Sequence, residues 1–277
     1  MPASSAQPAP PGRAAAHRLE WRVATLQSAH PETATARTLV LDVPGWPGHL
    51  AGQHVIVRLT AEDGYSAQRS YSLASPADGD RIEITVQRLA DGEVSPYLTD
   101  VMEPGDQVEV RGPIGGWFVW EPGSRAPVQL VAGGSGIVPL MAMIRAVKGA
   151  VPVRLLYSAR TPQDVIYAGE LAQRSRHASL AVTYLLTRAE PPGSAPRGFR
   201  GSPPGPAERG WAGEVDGVVR HGRISAGSVT EATWRPEAKP AIFACGPSGF
   251  VEAASGLLVA AGHEAAAIKT ERFGPTS

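Results

Sequence analysis

Val128-Gln129-Leu130-Val131-Ala132-Gly133-Gly134-Ser135-Gly136-Ile137-Val138-Pro139 reads as a short apolar strand, a cluster of glycines and the opening of a helix. A glycine-rich turn in that setting is how a doubly wound domain receives a pyrophosphate. The missing side chains let backbone N–H groups approach, and the helix N-terminus adds positive potential. The segment departs from G-x-G-x-x-G, since position 139 is proline, and alone it reads equally well as a tight turn holding no ligand. What it decides is organisation, because the hydrophobic period changes here.

Downstream, the pattern predicts a helix over 139–148, a strand over 153–157, a helix near 164–173, strands over 180–186 and 241–244, a helix over 248–261 and a last strand over 266–273. Strand–helix alternation of this kind means a parallel sheet with crossover helices. Upstream, residues 19–120 are mostly strand. Val55, Val57 and Leu59 share one face of the segment 53–59, and 81–86 and 107–110 alternate in the same way. Pro44-Gly45, Asp63-Gly64, Asp78-Gly79, Asp91-Gly92 and Pro104-Gly105 supply the turns, so an antiparallel barrel or sandwich is expected. Ser95-Pro96 resembles an N-cap and an N1 proline, which predicts a turn or two of helix over 95–102. The expected architecture is therefore two-domain: an antiparallel β-barrel over 18–120, a linker at 121–127, and an α/β parallel-sheet domain over 125–277.

Composition narrows the classes. The chain has 277 residues, and 26 basic residues cancel 26 acidic ones, so no global field favours nucleic acid or an anionic membrane. One cysteine, Cys245, excludes an internal disulfide framework and a four-cysteine iron–sulfur cluster within these residues. No apolar run reaches the roughly 18 residues of a membrane span. Residues 1–17, rich in Ala, Pro and Ser, lack the apolar core of a signal peptide and read as a disordered leader; a cytoplasmic protein is expected. The Pro/Gly/Arg-rich insert at 190–211 reads as a flexible loop.

Two further segments carry chemistry. Arg69-Ser70-Tyr71-Ser72 ends a strand: Arg69 can pair with a phosphate, Tyr71 offers a ring to a planar cofactor, and Ser72 can hydrogen-bond a ring nitrogen. By itself the tetrapeptide is also an ordinary strand with a surface arginine. Cys245-Gly246-Pro247 lies at the C-terminal edge of the parallel sheet, where ligands bind, although a lone cysteine is commonly a small buried hydrophobe. No histidine pair has metal-ligand spacing, so no metal site is expected, and His54 reads as a residue on the strand face near the cofactor, solvated or core-satisfied in preference to reactive. No serine sits in G-x-S-x-G.

Taken together and in order, these pieces resemble the ferredoxin–NADP⁺ reductase superfamily of flavoproteins, over about 17–274. Ala51-Gly52-Gln53-His54, Gly92-Glu93-Val94-Ser95, Gly112-Pro113-Ile114-Gly115, Thr187-Arg188 and Glu271-Arg272-Phe273-Gly274 belong to the same resemblance. It implies that Arg69 binds the flavin phosphate, that Tyr71 packs on the ring or ribityl chain, and that Ser72 hydrogen-bonds near flavin N5. Gln87 and Arg88 would line the flavin, and Gly92, Val94 and Ser95 would cradle its pyrophosphate. Gly133, Gly134, Gly136 and Pro139 would form the nicotinamide-nucleotide loop. Cys245 and Gly246 would stand beside the nicotinamide, with Glu271 and Phe273 near the flavin face; Ser72, Cys245 and Glu271 are the implied catalytic residues. Val138 stands where the family often has threonine.

The resemblance implies hydride transfer from NAD(P)H to FAD, in preference to FMN, and single-electron delivery to a separate ferredoxin-type carrier that supplies an oxygenase. A flavin or quinone reductase and a non-catalytic flavin-binding relay subunit stay open as alternatives. Ser158, Arg160 and Arg188 supply donors at the adenosine ribose site, where an acid would favour a free 2′-hydroxyl, so NADPH is favoured over NADH. The partner expectations are no nucleic acid, no membrane, and a monomer.

Overall fold

In a computed structural model of the chain, the described residues are 19–121, 123–149, 151–176, 179–188 and 217–273. The expected leader at 1–17 and insert at 190–211 lie outside them.

The first six strands are β1 (Trp21–Thr33), β2 (Ala36–Asp42), β3 (His54–Thr60), β4 (Ser66–Ser72), β5 (Arg81–Gln87) and β6 (Gln107–Ile114). They form one antiparallel sheet in the order β4-β3-β6-β1-β2-β5. A bridge between Leu73 and Ile84 joins its two ends, so the sheet closes on itself as a barrel. Alternation fills the interior: Val55 and Val57, Ile82, Ile84 and Val86, and Val110 are fully buried. The sequence did not single out β1 or β2. Alternation along β1 is interrupted by bulges near Leu26 and Pro31, which turn successive side chains out of phase.

One turn of π-helix, Tyr97–Val101, follows β5. Ser95 does not cap it. Its Oγ instead accepts the Leu89 N–H at 3.0 Å, which folds the 89–95 loop back on itself.

The second sheet holds β7 (Val128–Gly133), β8 (Val153–Ala159), β9 (Leu180–Leu186), β10 (Val218–His221), β11 (Ala241–Pro247) and β12 (Ile268–Phe273). All pairs are parallel, in the order β10-β9-β8-β7-β11-β12. The order in which strands are added reverses at β7, with β8 on one side and β11 on the other, and ligands of open α/β sheets bind at the carboxyl ends of strands at such a switch point. Helices α1 (Ile137–Ala146), α2 (Ala168–Ser175), α3 (Ala226–Ala232) and α4 (Ser248–Ala260) connect the strands. Strand β10 and helix α3 were not expected; a four-residue strand with one half-buried residue carries little periodic signal.

Helix α1 joins the two domains. Its residues Ile137–Ile144 are buried without interruption, which an amphipathic surface helix never shows. The parallel sheet covers one side. Ala51, Phe118 and Trp120 belong to the same apolar cluster and cover the other. Gly52 permits the approach: at φ +101°, a Cβ there would lie 1.9 Å from the Phe118 carbonyl oxygen and 2.8 Å from Met143 Cε.

A polar clamp surrounds this seam. Arg145 of α1 donates to the Ala74 carbonyl and to Glu83 of the barrel, both at 2.9 Å, and pairs with Glu170 of α2 at 2.5 Å. Tyr167 bonds Thr85 of β5 through its hydroxyl, and its N–H donates to Glu32 of β1 at 3.1 Å. Removing Arg145 leaves two largely buried carboxylates short of a cation. Arg145→Met should therefore lower unfolding free energy by about 3 kcal/mol. Arg81, half-exposed on the other side of Glu83, should cost under about 1 kcal/mol in Arg81→Met. Urea denaturation of both variants checks the contrast, and equal losses would contradict the clamp.

Candidate functional site

Register brings the chemistry-bearing residues together. In the β3–β4 hairpin, His54 lies opposite Ser72, Val55 opposite Tyr71 and Val57 opposite Arg69. Arg69 is exposed, Tyr71 half-buried and Ser72 buried, so the strand descends from solvent into the domain seam. Ser72 Oγ is buried without a hydrogen-bond partner among the described residues. Burial drives the Tyr71 phenol far above its ordinary range, with Arg69 opposing, so it stays neutral.

Arg69 meets the loop between β5 and the π-helical turn. Its guanidinium donates to Glu93 at 3.0 Å and to the Gln68 carbonyl at 2.7 Å, and Tyr65 O–H donates to the other Glu93 oxygen at 2.5 Å. The arginine and the Gly92–Ser95 segment, both expected to hold phosphates, are thus neighbours. Val94 is fully buried, as an anchor for that loop. Gln87 ends β5 opposite Ala36. The Arg88 side chain donates to Asp100 at 2.6 Å and its N–H to the Thr35 carbonyl at 2.7 Å.

At the switch point, β11 lies between β7 and β12, with Cys245 opposite both Ala132 and Glu271. The strand runs on through Gly246 and Pro247, past the expected end at 244, and Pro247 lies opposite Phe273. The glycine loop presses against this strand. A Cβ on Gly136 would stand 2.2 Å from the Cys245 carbonyl oxygen, so backbone meets backbone there. Gly134, at φ +54°, has nothing within 4 Å of its Cβ position and leaves that side of the loop open. Val138 and Pro139 are buried in α1.

Burial governs the titrating groups. Cys245 is buried, which pushes its thiol well up, and the Glu271 charge adds to that, so the sulfur stays protonated. Burial pushes the Glu271 carboxyl up to about 7. One Glu271 oxygen is buried without a partner among the described residues; the other lies 3.8 Å from Nδ1 of His54, whose own pKa burial lowers. Ser72, His54, Glu271 and Cys245 therefore form a continuous row from β4 through β3 and β12 to β11, across the domain boundary. His54 joins this row although its sequence setting did not single it out for chemistry. Lys269 was also missed. Its ammonium donates to the Val119 carbonyl at 3.3 Å and tethers β12 to the barrel side.

A third group gathers at the ends of β8 and β9. Arg188 N–H donates to the Arg160 carbonyl at 2.7 Å, and Ser158 lies opposite Leu185. Asp164, the nearest acid in sequence, is engaged by its own loop: it accepts from Thr161 N at 3.1 Å and Thr161 Oγ1 at 2.7 Å. A cavity of about 840 Å³, lined by His49, Trp120, Arg125, Arg145 and Lys148 among others, includes none of these residues. It marks the back of the domain seam.

The pair of orphaned buried oxygens, on Ser72 and Glu271, suits a bound group with its own donors and acceptors, and the side-chain-free loop suits an anion at α1. A flavin and a pyridine nucleotide fit these features.

Comparison with known proteins agrees. Residues 24–119 match the oxidoreductase FAD-binding domain family and residues 130–201 the oxidoreductase NAD-binding domain family. The chain is 30% identical over 231 residues to the glycine betaine monooxygenase reductase subunit of Chromohalobacter salexigens, covering 81% of this chain and 56% of the relative. It is 31% identical over 259 residues to the ferredoxin reductase component of 3-ketosteroid-9-alpha-monooxygenase from Mycolicibacterium smegmatis, covering 89% and 63%. The chain thus spans little more than half the length of these relatives. The flavohem-like FAD/NAD binding domain of nitric oxide dioxygenase from Vibrio cholerae superimposes with a TM-score of 0.74 at 24% identity, over 92% of this chain and 99% of that one; this shows the same fold.

The raised Glu271 pKa sets a sign for stability. The native state keeps this proton between pH 4.5, the ordinary value, and about 7, where the unfolded chain has released it. Unfolding free energy then falls as pH rises through that window. Glu271→Gln removes this contribution. The variant should gain on the order of 3 kcal/mol relative to wild type between pH 4 and pH 8. Urea midpoints at the two pH values read the difference, and parallel curves would refute the burial of the charge.

Proposed function

The chain belongs to the ferredoxin–NADP⁺ reductase superfamily, and from that premise we propose that it is an NAD(P)H-dependent flavoprotein reductase. In this reading it passes hydride to FAD and hands electrons singly to a separate ferredoxin-type iron–sulfur carrier that serves an oxygenase. The observation that carries the proposal is the row Ser72–His54–Glu271–Cys245, in which the flavin-side and nucleotide-side residues meet at one seam. The relatives support the acceptor side, since both are named as reductase components of monooxygenases.

FAD, when bound, supplies the conversion of a two-electron donor into single-electron steps. The chain's own residues hold and orient. Arg69 and the 92–95 loop take the flavin phosphates, with Tyr71 against its planar part. Ser72, whose hydroxyl has no protein partner, is free to hydrogen-bond the ring. Backbone N–H groups of Gly134–Gly136 receive the nucleotide pyrophosphate at the start of α1. Cys245, neutral and buried, forms a wall that excludes water from the nicotinamide. Glu271, protonated for much of the range below neutrality, can give a proton within the cleft.

NADPH is the favoured donor. The main chains of Arg160 and Arg188 are hydrogen-bonded just past the ends of β8 and β9, so both arginines start from that edge, and Asp164, the nearest acid in sequence, is held by Thr161.

Anaerobic stopped-flow mixing of the flavin-loaded protein tests the reading. NADPH should bleach the flavin, and Ser72→Ala should slow that phase by roughly a hundredfold. If neither NADPH nor NADH bleaches it, the protein is not a reductase. Cytochrome c reduction should require added ferredoxin; rapid turnover with free FMN or a quinone alone would point to a diffusible acceptor instead. Replacing Arg160 by alanine should raise the KM for NADPH about tenfold or more and leave NADH nearly unchanged. Equal effects on both nucleotides would overturn the 2′-phosphate assignment.

A further inference from the structure

His54 and Glu271 reach the same point from different domains. His54 opens β3 of the barrel, and Glu271 sits in β12 of the nucleotide sheet; Nδ1 and Oε1 are 3.8 Å apart, and the side chains are only 25% and 20% exposed. Both ends are held. Gln53 donates to the Gly115 carbonyl at 2.6 Å and accepts from Leu50 N at 2.8 Å, which fixes the start of β3. The Cβ position of Gly115 lies 3.7 Å from His54 Nδ1, so this turn forms a close wall beside the ring. On the other side, Lys269 ties β12 to the Val119 carbonyl.

The charged and titratable neighbours of Glu271 leave His54 as its partner. Cys245 on β11 is held as a thiol. Lys269, on the same face of β12, directs its ammonium to Val119 and lies 5.4 Å and 5.7 Å from the ring centroids of Phe243 and Trp117. Arg272 projects from the opposite face and is exposed. His54 itself is flanked in register by Ser72 and Ile114, neither of which carries charge.

We propose that His54 is the positioning residue of Glu271, its imidazole orienting the carboxyl across the domain boundary and sharing one proton with it. A shift of less than about 1 Å brings Nδ1 and Oε1 to hydrogen-bond distance. With the proton on Nδ1, the ring donates to the carboxylate; with the proton on Oε1, the carboxyl donates to the neutral ring. The two forms have the same net charge, so the seam never gains an uncompensated ion as the proton moves between them. Holding Oε1 this way keeps Oε2, the oxygen without a protein partner, available to the bound cofactors. The protonation of the carboxyl is thereby coupled to the contact between domains. The inference depends on the reductase reading only for the use made of that carboxyl.

Infrared pH titration of the resting, flavin-loaded protein tests it, with no nicotinamide or acceptor present. The protonated carboxyl band of Glu271 is identified by its loss in Glu271→Gln. In His54→Phe the midpoint of that band should rise by about one pH unit, because the carboxylate loses its donor. His54→Gln, whose amide can donate to Oε1, should restore a midpoint near wild type. The reciprocal reading needs no His54 variant beyond assignment: the His54 imidazole, followed by NMR, should titrate lower in Glu271→Gln by a similar amount, since coupling is mutual. If His54→Phe does not fold, this second titration decides alone. An unmoved Glu271 midpoint in His54→Phe, equal midpoints in the Phe and Gln variants away from wild type, or an unmoved His54 titration in Glu271→Gln each overturns the proposal. None of these results bears on whether NADPH bleaches the flavin, so the two readings fail separately.

Discussion

Helix α1 is buried on both sides, and that single constraint organises the molecule. A helix packed against a parallel sheet normally presents a polar face to water; here Phe118, Trp120 and Ala51 take the place of water. The join is therefore core-like, and separating the domains would expose a continuous apolar surface at about 25 cal/mol per Å². The same helix begins at the glycine loop and ends at Arg145. Its packing fixes the anion-accepting end of the nucleotide domain relative to the barrel, and its other end carries the clamp to Glu83 and Glu170. A cleft assembled from two domains needs such a rigid axis, because hydride transfer tolerates little error in position.

The stability that this seam provides is partly spent at its edge. Ser72 Oγ and one Glu271 oxygen are buried without partners, and each such group costs roughly 1–3 kcal/mol relative to a satisfied one. Glu271 is also held above its ordinary pKa by burial. Such defects recur where a structure must leave capacity for something it binds, and sequence-to-structure consistency breaks first at such sites. The apolar interior of the barrel follows its pattern: Val55, Val57, Ile82, Ile84 and Val86 alternate inward as their period demands.

Much of this was legible in the residues, and the limits have physical causes. The change of period at 128–139 coincides with the first parallel strand, β7, and the strand over 180–186 matched β9 residue for residue. Helix α1 was visible as an apolar run, but its burial on both faces follows from the barrel and not from any local pattern. Ser95 looked like a cap because serine before proline is a common helix start, yet its hydroxyl serves Leu89 across the loop. His54 could be placed near the cofactor but not paired with Glu271, for a similar reason. Its neighbour in register, Ser72, and its neighbour across the seam, Glu271, are 18 and 217 residues away, and no sequence window spans both. Arg88, beside the expected flavin segment, is paired with Asp100 in a setting as exposed as that of Arg69 and Glu93.

Arg69 shows how a site can be both satisfied and receptive. Its guanidinium is paired with Glu93, yet both side chains are close to half exposed, at 46% and 49%. A pair in that setting contributes little, because water competes for both partners. A phosphate offers more negative charge and more acceptor oxygens than one carboxylate, and arginine can meet it with two parallel N–H groups. Glu93 need not be stranded by the exchange, since Tyr65 already donates to its other oxygen at 2.5 Å. The arrangement therefore holds the arginine near the 92–95 loop while leaving it cheap to redirect, whereas the buried Arg145, bound to two carboxylates and a carbonyl, could not serve that purpose. Exposure, more than charge, separates the arginine that can bind from the arginine that holds the fold together.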